Sequence, residues 1–343
     1  MFNPQFLLLF LLFLSFLFIP SILSPKHLQI SLPDELDDVA LFRRATLAAL
    51  DAASAKYSKS NPKIAFLFLT NSDLHFAPLW EIFFHGHRGL YNIYVHADPS
   101  ATIAPPGGVF DGRFIAAKKT QRASPTLISA ARRLLATALL DDPANSYFAL
   151  VSQHCIPLHS FRYMYDFLFR HPVPGPRLPS SLPLYRSFIE VSSTKPKLWD
   201  RYAARGKDVM LPEVPFNRFR AGSQFFTVIR QHAEVVVRDR RLWRKFKLQC
   251  YNLNSCYPEE HYFPTLLSME DPDGCTGYTL TRVNWTGSVG GHPHTYGAAE
   301  VSPLLIHRLR QSNSTTYSFM FARKFSPDCL QPLLRLAHLI FTD

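Results

Sequence analysis

Short apolar runs alternate with helical patterns along most of the chain. Apolar runs bounded by turn residues predict buried strands, and apolar residues recurring at helical spacing predict amphipathic helices. The predicted strands cover 64–69, 91–96, 113–116, 147–152, 187–191, 222–229, 279–285 and 317–322. The predicted helices cover 76–84, 125–140, 163–169, 232–238, 258–267, 303–310 and 330–341. Strands and helices that alternate through short connections predict an α/β fold, with one mixed, mostly parallel sheet flanked by helices.

Two further patterns precede this region. The longest apolar run, 6–23, is close to the shortest length that spans a bilayer and is longer than most signal-peptide cores. It predicts that 1–25 is a short cytoplasmic end with an uncleaved transmembrane signal anchor. An amphipathic helix over about 33–55 indicates a stem across 26–62, so that 63–343 remains as a single folded domain.

The charge balance points to an anionic partner. The chain has 37 Lys and Arg residues against 26 Asp and Glu residues, which gives a net charge of +11. Nucleic acids, membrane headgroups and phosphorylated small molecules all attract such a chain. Because the basic residues form only pairs and triples, without a zinc-finger or RNA-binding signature, nucleic acid is the weaker choice.

Sequons and cysteines indicate that the body of the protein lies in the secretory lumen. Asn284 and Asn313 each begin an Asn-x-Thr triplet, the acceptor signal for N-linked glycosylation. The five cysteines lack the close paired spacings of a metal site and predict one or two disulfides and an odd thiol, with the pairing left open. They are Cys155, Cys250, Cys256, Cys275 and Cys329.

The stretch 256–267 carries the strongest candidate for acid–base chemistry. Pro258 suits the first position of a helix, where its missing N–H has no intrahelical role. Glu259 and Glu260 then fall in the first turn, where the helix dipole favours negative charge. Pro264 cannot donate to the carbonyl of Glu260, which predicts a short helix or a kink just beyond the acids. By itself the stretch favours two capping glutamates on a surface helix, so the catalytic interpretation depends on the rest of the chain.

Metal and nucleophile chemistry find less support. The Asp-Pro-Asp triplet at 271–273 is the only Asp-x-Asp in the sequence, and it reads as a reverse turn, so a divalent ion is disfavoured. His292 and His294 are two residues apart on a glycine-rich loop, which is a poor spacing for zinc. His154 and Cys155 are adjacent, but neighbouring side chains on an extended segment point in opposite directions. A buried or disulfide-bonded cysteine is the simpler interpretation.

Five segments in a fixed order carry a family resemblance. They are Tyr-Val-His-Ala-Asp at 94–98, Val-Ser-Gln-His-Cys-Ile-Pro-Leu at 151–158, Gly-Ser-Gln-Phe-Phe at 222–226, Pro-Glu-Glu-His at 258–261 and Phe-Ala-Arg-Lys-Phe at 321–325. Together they resemble the core-2/I-branching β-1,6-N-acetylglucosaminyltransferase family (glycosyltransferase family 14), most closely its plant branch. The resemblance implies a single-pass type II Golgi membrane protein with a luminal catalytic domain and a GT-A fold. It also implies inverting transfer from a UDP-sugar without a metal ion or other cofactor.

The resemblance assigns roles to three residues. Glu260 matches the family's catalytic base, and Asp98 matches the aspartate that contacts the nucleotide. Lys324 matches the lysine that holds the diphosphate. Arg323 and Lys324 stand at the end of a predicted strand, where they supply the positive charge that a metal would otherwise bring to a departing diphosphate.

Two further residues fall where the animal enzymes contact their acceptor. These are Glu190 and Arg201, which the resemblance implies as acceptor-binding residues. The sequence also departs from the family, because an arginine that binds the diphosphate in animal members has no clear counterpart. The segment 291–295 stands there instead.

The expected protein is therefore a Golgi glycosyltransferase anchored in the membrane. It moves GlcNAc or GlcA from a UDP-sugar to a hydroxyl of a cell-wall polysaccharide or glycoprotein, and it has no nucleic-acid partner. The alternative is a catalytically inactive luminal protein that binds glycans or acts as a scaffold with a transferase fold. A glycoside hydrolase would need two opposed carboxylates, and only Glu260 has a convincing setting.

Overall fold

The computed structural model describes five stretches of the chain, which are 35–54, 61–170, 185–288, 290–312 and 317–343. Within 35–54, side chains are described for 36–48 alone. The predicted anchor over 1–25 and the sequon at Asn313 lie outside the described residues. Within the described stretches, no helix is both long enough and apolar enough to cross a membrane.

The chain alternates strands and helices as its hydrophobic pattern predicts. The strands are β1 (Lys63–Thr70), β2 (Tyr91–Ala97), β3 (Asn145–Ser152), β4 (Ile156–Pro157), β5 (Ser187–Glu190), β6 (Thr227–Ile229), β7 (Cys275–Gly277), β8 (Thr281–Val283) and β9 (Phe321–Arg323). The longer helices are α1 (Glu35–Ser54), α2 (Ala77–Phe84), α3 (Pro125–Asp141), α4 (Phe161–Phe169), α5 (Leu198–Tyr202) and α6 (Arg230–Arg238). They are followed by α7 (Trp243–Phe246), α8 (Tyr262–Glu270), α9 (Pro303–Arg310), α10 (Leu330–Arg335) and α11 (Ala337–Ile340).

The main sheet is mixed and mostly parallel, which confirms the predicted α/β class. Its strand order is β2-β1-β3-β6-β5-β7. β1 runs parallel to β2 and β3, and β5 runs parallel to β7, whereas β6 is antiparallel to both of its neighbours. The prediction of a single sheet is wrong, because β4, β9 and β8 form a second sheet that brings the end of β9 next to the segment that follows β3.

The central strand β1 explains why its sequence is apolar on both faces. Successive side chains of a strand point to opposite faces. Phe66 and Phe68 pack against Trp80 of α2, with ring centroids 6.0 and 5.1 Å away. Ala65 and Leu67 enter the other apolar cluster, which α3 shares. A strand covered by helices on both faces reads as a continuous apolar run.

Several predicted elements are shorter than their patterns. The run 113–116 forms only an isolated bridge, between Phe114 and Val95. The run 222–229 contributes β6 alone, because the backbone N–H of Gly222 leaves the sheet and donates to the carbonyl of Glu260 at 2.8 Å. The predicted final helix divides into α10 and α11 at Leu336, whose backbone has φ −92° and ψ 0°.

The acidic stretch also differs from its prediction in detail. Pro258–Glu260 is a 3-10 turn, and α8 begins only at Tyr262. The break predicted just beyond the acids is confirmed, and it falls at His261 (φ −120°). Pro264 lies in the first turn of α8, where its missing N–H leaves no hydrogen bond unmade. It therefore helps to start a second helix, instead of ending the first.

The predicted stem helix is present as α1 and packs on α3. Arg133 of α3 donates from Nε and Nη2 to the two carboxylate oxygens of Asp38, each at 2.6 Å. Both side chains are buried. The guanidinium of Arg132 stacks over the ring of Phe42, 4.5 Å from its centroid.

One disulfide, between Cys250 and Cys256, is present. The other three cysteines, Cys155, Cys275 and Cys329, are buried free thiols. The prediction of one or two disulfides is confirmed with one, whereas three thiols are free instead of a single odd thiol. The bonded pair lies directly before the acidic turn.

Candidate active site

A cavity of about 310 Å³ opens at the carboxyl ends of β1 and β3. Ligands of open α/β sheets bind at this edge, because the loops that follow parallel strands converge there. The ionisable side chains of its wall are Arg122, His154, Tyr257, Glu259, Glu260, His292, Arg323 and Lys324. Three of the predicted site residues, Glu260, Arg323 and Lys324, therefore share one cavity.

Glu260 closes the 3-10 turn and forms an ion pair with a predicted acceptor residue. Arg201 of α5 donates from Nη1 to Glu260 Oε2 at 2.5 Å. The side chain of Glu260 lines the cavity and remains 32% exposed, so the ion pair leaves it accessible to a substrate there. The structure thus brings Glu260 and Arg201 together, although 59 residues separate them along the chain.

Glu259 has a different environment from its neighbour. It is 4% exposed, and its Oε1 accepts from the backbone N–H of Ala123 at 3.0 Å. Its Oε2 has no hydrogen-bond partner among the described residues. Burial raises the pKa of Glu259 to about 7, and the charge of Glu260 adds to the effect, whereas Arg122 opposes it. Adjacent glutamates that the sequence presents alike are therefore a buried acid and a partly exposed, ion-paired carboxylate.

Tyr257 connects the disulfide to this turn and holds an unusual backbone conformation. It has φ +46° and ψ +57°, in the left-handed region that residues other than glycine seldom adopt. Two guanidinium groups lie over its ring, those of Arg122 and Arg201, with Cζ 5.4 and 5.0 Å from the centroid. Backbone strain of this kind clusters at functional sites, and here it turns both glutamates toward one cavity.

The predicted diphosphate residues follow β9. The guanidinium of Arg323 stacks on Phe225, with Cζ 4.1 Å from the ring centroid, and burial lowers its pKa. Lys324 is half-buried, and its pKa is lowered first by burial and then by the positive charges of Arg323 and Arg122. Like charges held together in a cavity favour the binding of an anion, which relieves their repulsion.

Asp98 lies behind the cavity wall. It is 3% exposed, and its carboxylate accepts four hydrogen bonds, two from Ser100 and two from Thr120. Burial alone would raise the pKa of Asp98, but these hydrogen bonds outweigh it and lower the pKa to about 2. Asp98 fixes the position of Thr120, which itself lines the cavity.

The structure places Glu190 next to the site without bringing it into the cavity wall. Its carboxylate pairs with Lys195 at 2.8 Å. Its carbonyl oxygen is packed against Gly222, where a Cβ would stand only 1.9 Å away. A side chain at position 222 would therefore clash with β5. Because the backbone N–H of Gly222 donates to the carbonyl of Glu260, glycine here lets the chain lie between β5 and the acidic turn.

Trp285, Arg122 and His292 line the cavity, although the sequence singled out none of them as a binding residue. Trp285 is 53% exposed. A large aromatic side chain that is exposed at a cavity indicates a binding surface. Its neighbour Asn284, the predicted glycosylation site, accepts from the backbone N–H of Thr286 at 3.0 Å. This sequon therefore stands at the rim of the cavity.

The residues considered for other chemistries have structural contacts. The predicted reverse turn at 271–273 is confirmed, because Asp271 accepts from the backbone N–H of Gly274 at 3.0 Å. In the described stretches no group of three or more His, Cys, Asp or Glu side chains could hold a metal ion. Cys155 is fully buried and burial raises the pKa of its thiol, as expected for a structural cysteine.

Comparisons with known proteins match most of the chain. The family model described as Branch, Core-2/I-Branching enzyme, matches residues 64–310. A curated protein of rice, Oryza sativa subsp. japonica, named Glycosyltransferase BC10, is 28% identical over 330 residues. That alignment covers 82% of this chain and 78% of the rice protein.

Proposed function

The chain belongs to the Core-2/I-branching enzyme family and is a glycosyltransferase, and we propose that it moves a sugar from a UDP-sugar to a glycan hydroxyl with inversion. One observation carries the proposal. An ion-paired carboxylate, Glu260, and a cationic pair, Arg323 and Lys324, share one cavity at the carboxyl edge of the sheet. A transferase of this kind needs a base for the acceptor and positive charge for the leaving group.

In the proposed reaction Glu260 acts as the general base. Its carboxylate takes the proton of the acceptor hydroxyl while the hydroxyl oxygen attacks the anomeric carbon of the donor sugar. The bond from this carbon to the phosphate oxygen breaks, and UDP leaves with the electron pair. Arg201 orients the carboxylate by holding Oε2, so that Oε1 is available for the acceptor.

The departing diphosphate is stabilised by Lys324 and, behind it, by Arg323. Lys324 lies in a cavity where its neighbours Arg323 and Arg122 are also positive. Charge that develops on the leaving phosphate is therefore met by cations already in place, without reorganisation at the moment of reaction. Two cationic side chains can serve the role that a divalent ion has in other transferases, so we propose a metal-independent reaction.

Trp285 and Arg201 extend the site toward the acceptor. An exposed aromatic ring suits the apolar face of a sugar, and a guanidinium suits its hydroxyl groups. Glu190, whose carbonyl oxygen packs against Gly222, remains a proposed acceptor residue. GlcNAc and GlcA are the proposed donor sugars, and a cell-wall polysaccharide or a glycoprotein is the proposed acceptor.

The cellular setting is proposed from the sequence. The anchor over 1–25 and the stem hold a GT-A-like catalytic domain in the Golgi lumen. Asn313 and Asn284 are then open to glycosylation. A mobility shift after treatment with a glycan-removing amidase, reduced by Asn313→Gln, is the expected result. The absence of any shift contradicts a luminal body.

The activity is tested with the full-length chain in detergent. It is incubated with UDP-GlcNAc or UDP-GlcA and with pools of cell-wall polysaccharides or glycoproteins, and UDP release is measured. Release that depends on the acceptor is expected. Binding of UDP or glycan without such release would instead support an inactive binding or scaffold protein.

A further inference from the structure

Arg122 bridges two loops of the cavity wall. It lies in the connection between β2 and α3, whereas Gly291 and His292 lie in the connection between β8 and α9. Arg122 Nη2 donates to the carbonyl of Gly291 at 2.8 Å, and Nη1 lies 3.0 Å from Nε2 of His292. The segment 291–295 contains no arginine of its own, so this side chain brings a guanidinium to it from 169 residues away.

Neither of these two contacts neutralises the charge of Arg122. One partner is a backbone carbonyl and the other is an imidazole whose pKa is lowered, chiefly by Arg122 itself, so that the ring is neutral at pH 7. The nearby Glu259 is buried, and burial raises its pKa to about 7, so it offsets the guanidinium only in part. Arg122 and Lys324 line the same cavity, and the positive charge of Arg122 contributes to lowering the pKa of Lys324.

The guanidinium retains donors for an anion. Arginine presents five N–H groups in a planar fork that matches the oxygens of a phosphate, and the two contacts to Gly291 and His292 occupy two of them. Lys324 offers a single mobile charge on the same cavity. Two cations that repel each other, one of them a rigid fork, suit a ligand that has two linked anionic groups.

We propose that Arg122 is a donor-binding residue, which together with Lys324 holds the diphosphate of the nucleotide sugar. Because Arg122 also ties down Gly291 and His292, binding of the diphosphate strengthens the link between the two loops. The inference rests on the proposed function, since it names a further residue for the same donor site.

The test compares UDP with uridine as ligands of the full-length chain. Affinities are measured by calorimetric or NMR titration for the wild type, Arg122→Gln, Arg122→Lys and a matched control, Arg308→Ala, which removes an exposed arginine of α9. Arg122→Gln is expected to weaken UDP binding about 10-fold to 100-fold, as for the loss of a charge-assisted phosphate contact. Uridine binding is expected to change less than about twofold, because uridine has no phosphate. Arg122→Lys is expected to recover part of the affinity for UDP, and Arg308→Ala to match the wild type.

Two outcomes overturn the inference while leaving the proposed function intact. One is UDP binding by Arg122→Gln that equals the wild type. The other is an equal loss for UDP and uridine in both Arg122 variants, which would mean that Arg122 only holds the loops together. A wild-type chain that binds no UDP contradicts the proposed donor itself and the Arg122 inference with it.

Discussion

Two regions of the molecule differ in how their charged side chains are paired. One is the interface between α1 and α3, and the other is the cavity at the carboxyl ends of β1 and β3. In the interface, Asp38 meets Arg133 through two hydrogen bonds of 2.6 Å, and each carboxylate oxygen has a partner. In the cavity, Arg122 contacts a backbone carbonyl and an imidazole, and Lys324 experiences the positive charges of Arg323 and Arg122. In a buried pair each charge offsets the desolvation cost of the other, and the loss of one partner destabilises the fold. Cations without a carboxylate partner in a cavity instead favour the binding of an anionic ligand. The contrast separates a structural cluster from a binding site.

The largest expected effect is the loss of catalysis in Glu260→Gln. The amide keeps the shape of the side chain but cannot take a proton, so kcat is expected to fall by about two to four orders of magnitude. Folding and UDP binding should be almost unchanged. UDP release assays with thermal unfolding as the control measure this, and Glu259→Gln is the matched variant. A full loss in Glu259→Gln with near-normal turnover in Glu260→Gln would show that the base is the neighbouring residue.

The second effect concerns the contribution of the α1–α3 interface to the stability of the fold. Asp38→Ala leaves the guanidinium of Arg133 buried without its carboxylate, which is expected to lower the free energy of unfolding by roughly 3 kcal/mol. The double variant with Arg133→Ala should lose less than the sum of the two single losses, because the pair acts as a unit. Chemical denaturation measures both. Activity per folded molecule should stay at the wild-type value, and a selective loss of kcat would contradict a purely structural role.

A smaller effect is a pH dependence of the free energy of unfolding that arises from Glu259. Its folded pKa is raised from an ordinary value of 4.5 to about 7, so the folded state holds the proton more tightly than the unfolded state. The stability from this group is full below about pH 4.5 and is lost as the pH rises toward 7. Relative to Glu259→Gln, the wild type should lose roughly 2 kcal/mol over this window. Parallel stability curves for the two proteins across the window would contradict the raised pKa.

The smallest expected effect is that of metal removal. If Arg122, Arg323 and Lys324 supply the positive charge, excess EDTA should change the turnover by less than about twofold. Asp271→Asn should have no effect on activity, since Asp271 is engaged in a turn. Loss of activity on chelation, with recovery on addition of Mn²⁺ or Mg²⁺, would mean that the cavity binds its ligand through an ion.

The local elements were accessible from the sequence, because they depend on the order of apolar and polar residues. The pattern of β1 predicts a strand buried on both faces, and the structure has one. The alternation of strands and helices predicts the α/β class and the edge where ligands bind. The five ordered segments point to the family, and the family model matches most of the same region. Glu260, Arg323 and Lys324 were predicted as site residues from the sequence, and the structure places all three in one cavity.

The charge state and partners of these residues were decided by the tertiary structure. No pattern along the chain distinguishes Glu259 from Glu260. In the structure, Glu259 is buried and accepts from the backbone N–H of Ala123, whereas Glu260 is paired with Arg201. Arg122 reaches Gly291 across 169 residues, a contact that no local signal records. Hydrophobic periodicity reports which side of an element is buried, but a pKa or an ion pair depends on what other segments place within a few ångströms. Those distances are fixed only when the loops from different strands meet.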